Sequence, residues 1–323
     1  MKIDIRTSLE LSRLSSREVF GKALNEITEK DDNTMVIVAD VMTSAKLCDF
    51  NKNFPEKLIN VGIAEQNMLG IASGLASEGY NVFTTTFAPF ASMRCFEQLR
   101  TQVGYMKLNV KTVGILSGLA GGVVGNTHYG LEDIAITRTI PNMTVISPAD
   151  CIETYKAVEA LKDFEGPCYL RLTGINGTPC IYKEDFEFKI GKSVVIQEGT
   201  DIAIIATGAM VYEAMRASKA LKKQGISAKI INMHTIKPLD TKILDEIFKN
   251  FKFIVTVEEH FKIGGLGSAV AEYKSGIKNA PQHLILGIEN IFEKAGTYSF
   301  MLNKFGLTAP QIAQKIMEKY KGE

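Results

Sequence analysis

Residues 60–100 read NVGIAEQNMLGIASGLASEGYNVFTTTFAPFASMRCFEQLR, and two periodicities meet inside them. From Gln66 to Gly79 the apolar residues recur at helical spacing, and NVFTTTF at 81–87 reads as a buried strand. A helix that hands the chain directly to such a strand is the repeating unit of an α/β fold. Outward from it, MVIVAD at 35–40, VKTVGILS at 110–117 and MTVISPAD at 143–150 are further buried strands. Between them REVFGKALNEITEK at 17–30 and ADCIETYKAVEALKDF at 149–164 carry helical spacing. Strand and helix in alternation predict a doubly wound, mostly parallel sheet with helices on both faces.

The pattern stops between Thr173 and Ser193, where TGINGTP leads into the charged run YKEDFEFKIGK. This reads as a surface linker and puts a domain boundary near residue 190. Beyond it TDIAIIATG, AMRASKALKKQG, SAKIINMHT, ILDEIFKN and KFIVTVEEH repeat the rhythm in a shorter span. The expected organisation is therefore two α/β domains, 1–190 and a smaller one over 191–323. A length of 323 residues agrees with that count.

Apolar residues make up 46% of the chain and charged ones 23%, the balance of a globular protein. A formal charge of +1 with interleaved signs gives no field to gather nucleic acid or a membrane surface, and neither is expected as a partner. The first eleven residues, MKIDIRTSLEL, lack an apolar leader core, and no stretch reaches the roughly 18 apolar residues of a membrane span. The expectation is a cytoplasmic location. Five cysteines, an odd number without a CxxC pair, read as reduced packing residues.

Three places carry chemistry-bearing residues. Glu65 opens the helical pattern, which puts its carboxylate at a helix N-terminus, ordinarily a mere dipole partner. Gly70 and Gly74 thin the same helix, so another backbone can approach it, although plain core packing has the same signature. Phe87 and Phe90 flank Pro89 at a strand end, where aromatic rings either join the core or face a planar ligand. His128 lies in GGVVGNTHYGLED, a glycine-rich break after a strand, and such breaks are where α/β folds place ligands. GGLGSAV at 264–270 looks like a dinucleotide loop but lacks the third glycine, and HFKIG parts it from its strand.

Taken together, these segments resemble the C-terminal half of transketolases and of deoxyxylulose-phosphate synthases over essentially the whole chain. The resemblance is carried in order by VGIAEQNM, TFAPF, THYGLEDIAITRTIPNMTVISPAD, MHTIKPLD, and EEH with GGLGSAV. It implies a pyrimidine-binding domain for thiamine diphosphate followed by a transketolase C-terminal domain. By resemblance Glu65 hydrogen-bonds N1′ of the cofactor's aminopyrimidine and drives its amino group toward the imino form. Such a glutamate shares a proton, and apolar neighbours Val61, Ile63 and Met68 would favour that. Phe87 and Phe90 would stack on the pyrimidine, Asp40 and Ile63 would lie against the cofactor, and His128 near the reacting centre.

The family's magnesium-holding GDG motif is absent from this sequence. The resemblance therefore implies an N-terminal partner subunit that carries GDG, holds Mg2+ and diphosphate, and completes an α2β2 heterotetramer; no metal ligand is assigned to this chain. At the substrate end Arg17 and Ser44 match residues that grip a sugar phosphate. Gly174, Leu116 and Val124 stand where the family has a second arginine, a histidine and an aspartate. Loss of a bidentate cation weakens phosphate recognition. The expected reaction is transfer of a two-carbon ketol unit from a ketose to an aldehyde, with a substrate altered at its far end. Alternatives are the β subunit of a 2-oxo acid dehydrogenase, half of a deoxyxylulose-phosphate synthase, and an inactive regulatory subunit.

Overall fold

The computed structural model describes residues 3–322, and the chain alternates strand and helix nearly throughout. Strands β1 (Thr34–Val38), β2 (Leu58–Asn60), β3 (Asn81–Phe87), β4 (Val110–Ile115), β5 (Thr144–Ile146) and β6 (Cys168–Leu172) occupy the first half. Strands β7 (Val194–Gln197), β8 (Ile202–Ala206), β9 (Ala228–Asn232), β10 (Thr235–Lys237), β11 (Phe253–Phe261) and β12 (Gln282–Ile288) follow. The first sheet runs β10-β5-β6-β4-β3-β1-β2 and the second β12-β11-β8-β9-β7. All pairs are parallel except β10 with β5 and β7 with β9. This is the doubly wound, mostly parallel α/β architecture expected from the runs of apolar residues.

Both faces of the first sheet are covered, so its central strands are buried along their length without alternation. In β1, Val36 and Val38 face a layer with Phe20, Leu24 and Ile152, while Met35 and Ile37 face Met68, Leu69 and Val103. Helix Ser16–Thr28 begins at a capping box in which Ser15 and Glu18 satisfy each other's amides, a device worth about 1 kcal/mol. Helix Cys151–Lys162 begins where Asp150 accepts from the Glu153 amide at 2.8 Å. Helix Glu65–Ser77 has no side-chain cap, which leaves Glu65 in its first turn.

Two expectations need adjustment. Residues 173–193 contain no strand or helix before β7, but they are not only surface: Cys180 and Tyr182 are each 8% exposed. Tyr182 donates to Glu153 Oε1 at 2.8 Å, and the Ile181 amide to Asp150 Oδ2 at 2.6 Å. The run is wedged because aromatics interleave with its charges, and one face of it packs. Strand β10, from beyond residue 190, hydrogen-bonds into the first sheet, so the two halves share an edge.

GGLGSAV opens helix Leu266–Lys274, and β11 extends to Phe261, nearer to it than the sequence suggested. The helix N-terminus is already filled: Glu258 accepts from the Leu266 and Gly267 amides at 2.6 and 2.8 Å. A buried carboxylate occupies the position a dinucleotide phosphate would take. Among the described residues no helix is long and apolar enough to cross a membrane.

Candidate active site

Strands β2, β1, β3 and β4 are neighbours and parallel, so their C-terminal ends open on one edge of the sheet, where α/β proteins bind ligands. Asp40 follows β1, Phe87 ends β3, Leu116 follows β4, and Glu65 comes five residues beyond β2. Asp40 at φ +57° and Leu116 at φ +51° both lie in the left-handed region. Side chains other than glycine pay for that conformation, and such strain gathers at functional edges. Asn60 Oδ1 accepts from the Asp40 and Gly62 amides, both at 3.1 Å, and ties the end of β1 to the turn before Glu65.

Glu65, Phe87, Phe90 and His128 come together as a chain of contacts. The Phe87, Phe90 and His128 rings form a triangle with centroids 5.3–5.9 Å apart, each pair near edge-to-face. The Arg94 guanidinium lies 3.7 Å from the Phe90 centroid and donates to Glu65 Oε1 at 2.7 Å. Glu65 is 3% exposed, whereas the Arg94 side chain is 45% exposed. His128 is half-buried, and its Nδ1 pairs with Thr127 Oγ1 at 2.9 Å.

Arg94 is the residue that the sequence reading missed. It sits one π-helical turn beyond Phe90 in FASMR, and an arginine there reads as solvated surface. The surroundings of Glu65 differ accordingly. Met68 is buried and Val61 half-buried, but Ile63 is 75% exposed, and the glutamate's partner is a cation.

Arg17 and Ser44 are also brought together, as a second group. Arg17 donates from Nη1 to the Ser44 carbonyl at 2.8 Å and from Nε to the Gly174 carbonyl at 3.2 Å. Gly174 has φ +75°, and a Cβ there would fall 2.8–3.0 Å from the Arg17 side chain. The place of a second arginine is thus crossed by the first. Val124 is 57% exposed on its loop.

An aromatic triangle beside a buried carboxylate suits a flat heteroaromatic ring that carries a hydrogen-bonding nitrogen. Arg94, on a flexible half-exposed stem, is the group such a ring would displace. A diphosphate with magnesium asks for hard oxygen ligands in number, and among the described residues no group of three or more His, Cys, Asp or Glu side chains has the arrangement to hold a metal ion.

The family model "Transketolase, pyrimidine binding domain" matches residues 12–178, and "Transketolase, C-terminal domain" matches residues 191–312. The chain is 43% identical to a putative transketolase C-terminal section of Methanocaldococcus jannaschii, over 95% of this chain and 96% of that one. It is 38% identical to a 6-deoxy-6-sulfo-D-fructose transketolase subunit of a Clostridium species, over 94% and 93%. A solved structure described as a split gene transketolase, inactive β4 tetramer, superposes with TM-score 0.86 at 39% identity, covering 95% of this chain and 98% of that one.

Proposed function

The chain belongs to the transketolase family, whose pyrimidine-binding and C-terminal domains match it in succession, and from that premise we propose that it is one subunit of a two-subunit, thiamine diphosphate-dependent transketolase. The observation that carries this reading is the Glu65–Arg94–Phe90–His128 contact chain at the C-terminal edge of the first sheet, on a chain with no GDG motif. The partner subunit carries GDG, Mg2+ and the diphosphate cradle, and two copies of each make a heterotetramer. A related chain whose solved form is described as an inactive β4 tetramer accords with a subunit that needs another. The gap between the two matched regions supports a domain division near residue 190.

Bound at this edge, thiamine diphosphate would supply a nucleophilic carbon for the ketose carbonyl. Glu65 would hydrogen-bond the pyrimidine N1′ from a position that is 3% exposed, where little water reaches the contact. Phe87 and Phe90 would pack on the ring and exclude solvent. Ile63 and Asp40 would close the sides. His128, paired with Thr127, would donate to an oxygen of the sugar. Arg94, whose side chain is 45% exposed, would yield Glu65 to the ring.

At the substrate's far end Arg17 has two donors committed to carbonyls, and the second cation is replaced by Gly174. The substrate is therefore altered there: deoxygenated, branched, sulfonated or unphosphorylated. The clostridial relative, a 6-deoxy-6-sulfo-D-fructose transketolase subunit, accords with this class.

Calorimetric titration of thiamine diphosphate and Mg2+ tests the split site. Heat is expected only when this chain is mixed with a GDG-bearing partner; tight binding by this chain alone overturns the proposal. In the complex, Glu65→Ala is expected to lower turnover at least about a hundredfold. Retained activity removes the glutamate from its role. Pentose-phosphate rates equal to those of ordinary transketolases would remove the altered-substrate proposal, and decarboxylation of pyruvate would move the chain to the synthase or dehydrogenase class.

A further inference from the structure

The loop that carries His128 is built by both halves of the chain. It leaves β4 at Leu116 and narrows to a neck where Gly118 and Gly130 exchange reciprocal backbone hydrogen bonds of 2.9 and 3.0 Å. The second half grips this neck. Glu259, on β11, accepts from the Leu119 amide through Oε1 at 2.5 Å and from the Tyr298 hydroxyl through Oε2 at 2.7 Å. Its own carbonyl accepts from Arg171 Nη2 at 2.9 Å, and the same Nη2 donates to the Gly130 carbonyl at 2.9 Å. Arg171 in turn is held by Asp133, with Nε 2.9 Å from Oδ2. At the tip, Asn126 Nδ2 donates to the Glu293 carbonyl at 2.8 Å.

Glu259 is 2% exposed and shares its surroundings with Asp133, Arg171, Glu258 and His260, all equally hidden. A carboxylate is costly in such a place, and burial pushes its protonation upward. Helix capping does not account for it, because Glu258 already fills the nearby helix N-terminus. What Glu259 does satisfy is one buried amide at the root of the loop and one hydroxyl from the opposite side. Gly118, at φ +64°, has no room for a Cβ because the Glu259 carboxylate lies against it, so loop and carboxylate fit only in this arrangement.

We propose that Glu259, braced by Tyr298, is a positioning residue through which the second domain fixes the loop that presents His128 to the substrate. The inference rests on the assignment of His128 made above. It gives the second domain a task in the reaction, since the ring nitrogen's aim depends on a neck clamped from β11. A carboxylate with two acceptor oxygens bridges Leu119 and Tyr298, which a shorter or apolar side chain does not.

The test uses Glu259→Ala, Glu259→Gln and Tyr298→Phe. Selective 15N-histidine labelling of the full chain gives four ring spin systems, one per histidine, and His128→Gln assigns the one that matters. Burial holds His234, His260 and His283 near pKa 4, so they stay neutral at pH 6. In Glu259→Ala the His128 signal is expected to shift or broaden while the thermal midpoint shows a folded chain. In complex with the partner subunit, kcat is expected to fall about tenfold or more with KM for the cofactor unchanged. Glu259→Gln keeps an acceptor for Leu119 and restores both readouts; Tyr298→Phe gives a smaller change of the same kind. A folded Glu259→Ala with an unmoved His128 signal and kcat within about twofold of the parent overturns the proposal. If Glu259→Ala does not fold, Tyr298→Phe decides by the same two readouts. Should the parent complex show no ketol transfer while the His128 signal still moves, the functional reading fails and the positioning stands.

Discussion

Two polar regions of this molecule are built on opposite plans. At the candidate active site, Glu65 leans on a half-exposed arginine, three rings touch edge to face, and Ile63 and Val124 face solvent. At the junction of the two halves, Asp133, Arg171 and Glu259 are almost wholly buried and bonded on several sides. A second junction cluster joins Glu153, Tyr182 and Asn232 at 2.8–2.9 Å. The site's polar groups are paired with exposed or half-exposed neighbours, whereas the junction's are paired among themselves in the interior. Removal of a charge should therefore cost folding at the junction and function at the site.

The largest break in that comparison is Asp133→Ala. It strands the Arg171 guanidinium in the interior and leaves the Tyr169 hydroxyl, 2.8 Å from Asp133 Oδ2, without its acceptor. Removing one partner of a buried pair costs about 3–5 kcal/mol, read as a fall in the urea midpoint of the full chain. Replacing both, Asp133→Ala with Arg171→Leu, should recover much of the loss, because the uncompensated charge is then gone.

The same contrast explains what could be read from the sequence. Runs rich in apolar and β-branched residues placed β1, β3, β4, β8 and β11, because strands covered on both faces are buried along most of their length. Glu65, Phe87, Phe90 and His128 were candidates from their residue types and places, but only the likeness of VGIAEQNM, TFAPF and THYGLED to transketolase motifs raised them above ordinary dipole-partner, core and loop residues. Arg94 was not, since nothing local tells a guanidinium over a ring from one in water. The junction was silent for another reason. Its members lie far apart in sequence, 38 residues from Asp133 to Arg171 and 88 from Arg171 to Glu259, and only the docking of two sheets brings them together. Strand β10, three residues long, had no periodicity to show.

Glu153 offers a sharper test of the junction because its effect depends on pH. Burial is the main cause that raises its carboxyl to about 7, and the same holds for Asp150. The folded chain therefore keeps these protons to a higher pH than the unfolded chain. Between about pH 4.5 and 7 it binds more protons, so stability from these groups falls as pH rises and is lowest above 7. The buried histidines act with the opposite sign, losing stability as pH falls from 6.5 toward 4. Glu153→Gln isolates the carboxyl. Relative to the parent it should gain up to about 3 kcal/mol between pH 5 and 8. A difference that does not change with pH removes the buried-proton account.

Gly174→Arg probes the boundary between the two plans. The substitution would restore the family's second arginine, but at φ +75° a side chain costs about 1–2 kcal/mol and meets Arg17. The expected outcome is a modest fall in thermal midpoint with no gain in turnover of ordinary sugar phosphates. A gain would show that Arg17 yields its place easily and that the substrate end is set by this position alone.

The smallest expected effect on folding belongs to Glu65→Ala, the substitution expected to end activity. Glu65 is buried and meets Arg94 through Nη1 at 2.7 Å. Loss of a buried ion-pair member is severe when the survivor is trapped, as with Arg171. Arg94 is not trapped, because its side chain is nearly half exposed and its guanidinium can keep the Phe90 face or turn to water. Removal of the carboxylate also removes its own burial cost, which offsets the lost bond. The net change in stability should stay within about 1 kcal/mol of the parent in either direction, measured by urea denaturation of the full chain. A loss as large as that of Asp133→Ala would mean that Glu65 and Arg94 form a structural pair, and that the site is closed in the same sense as the junction.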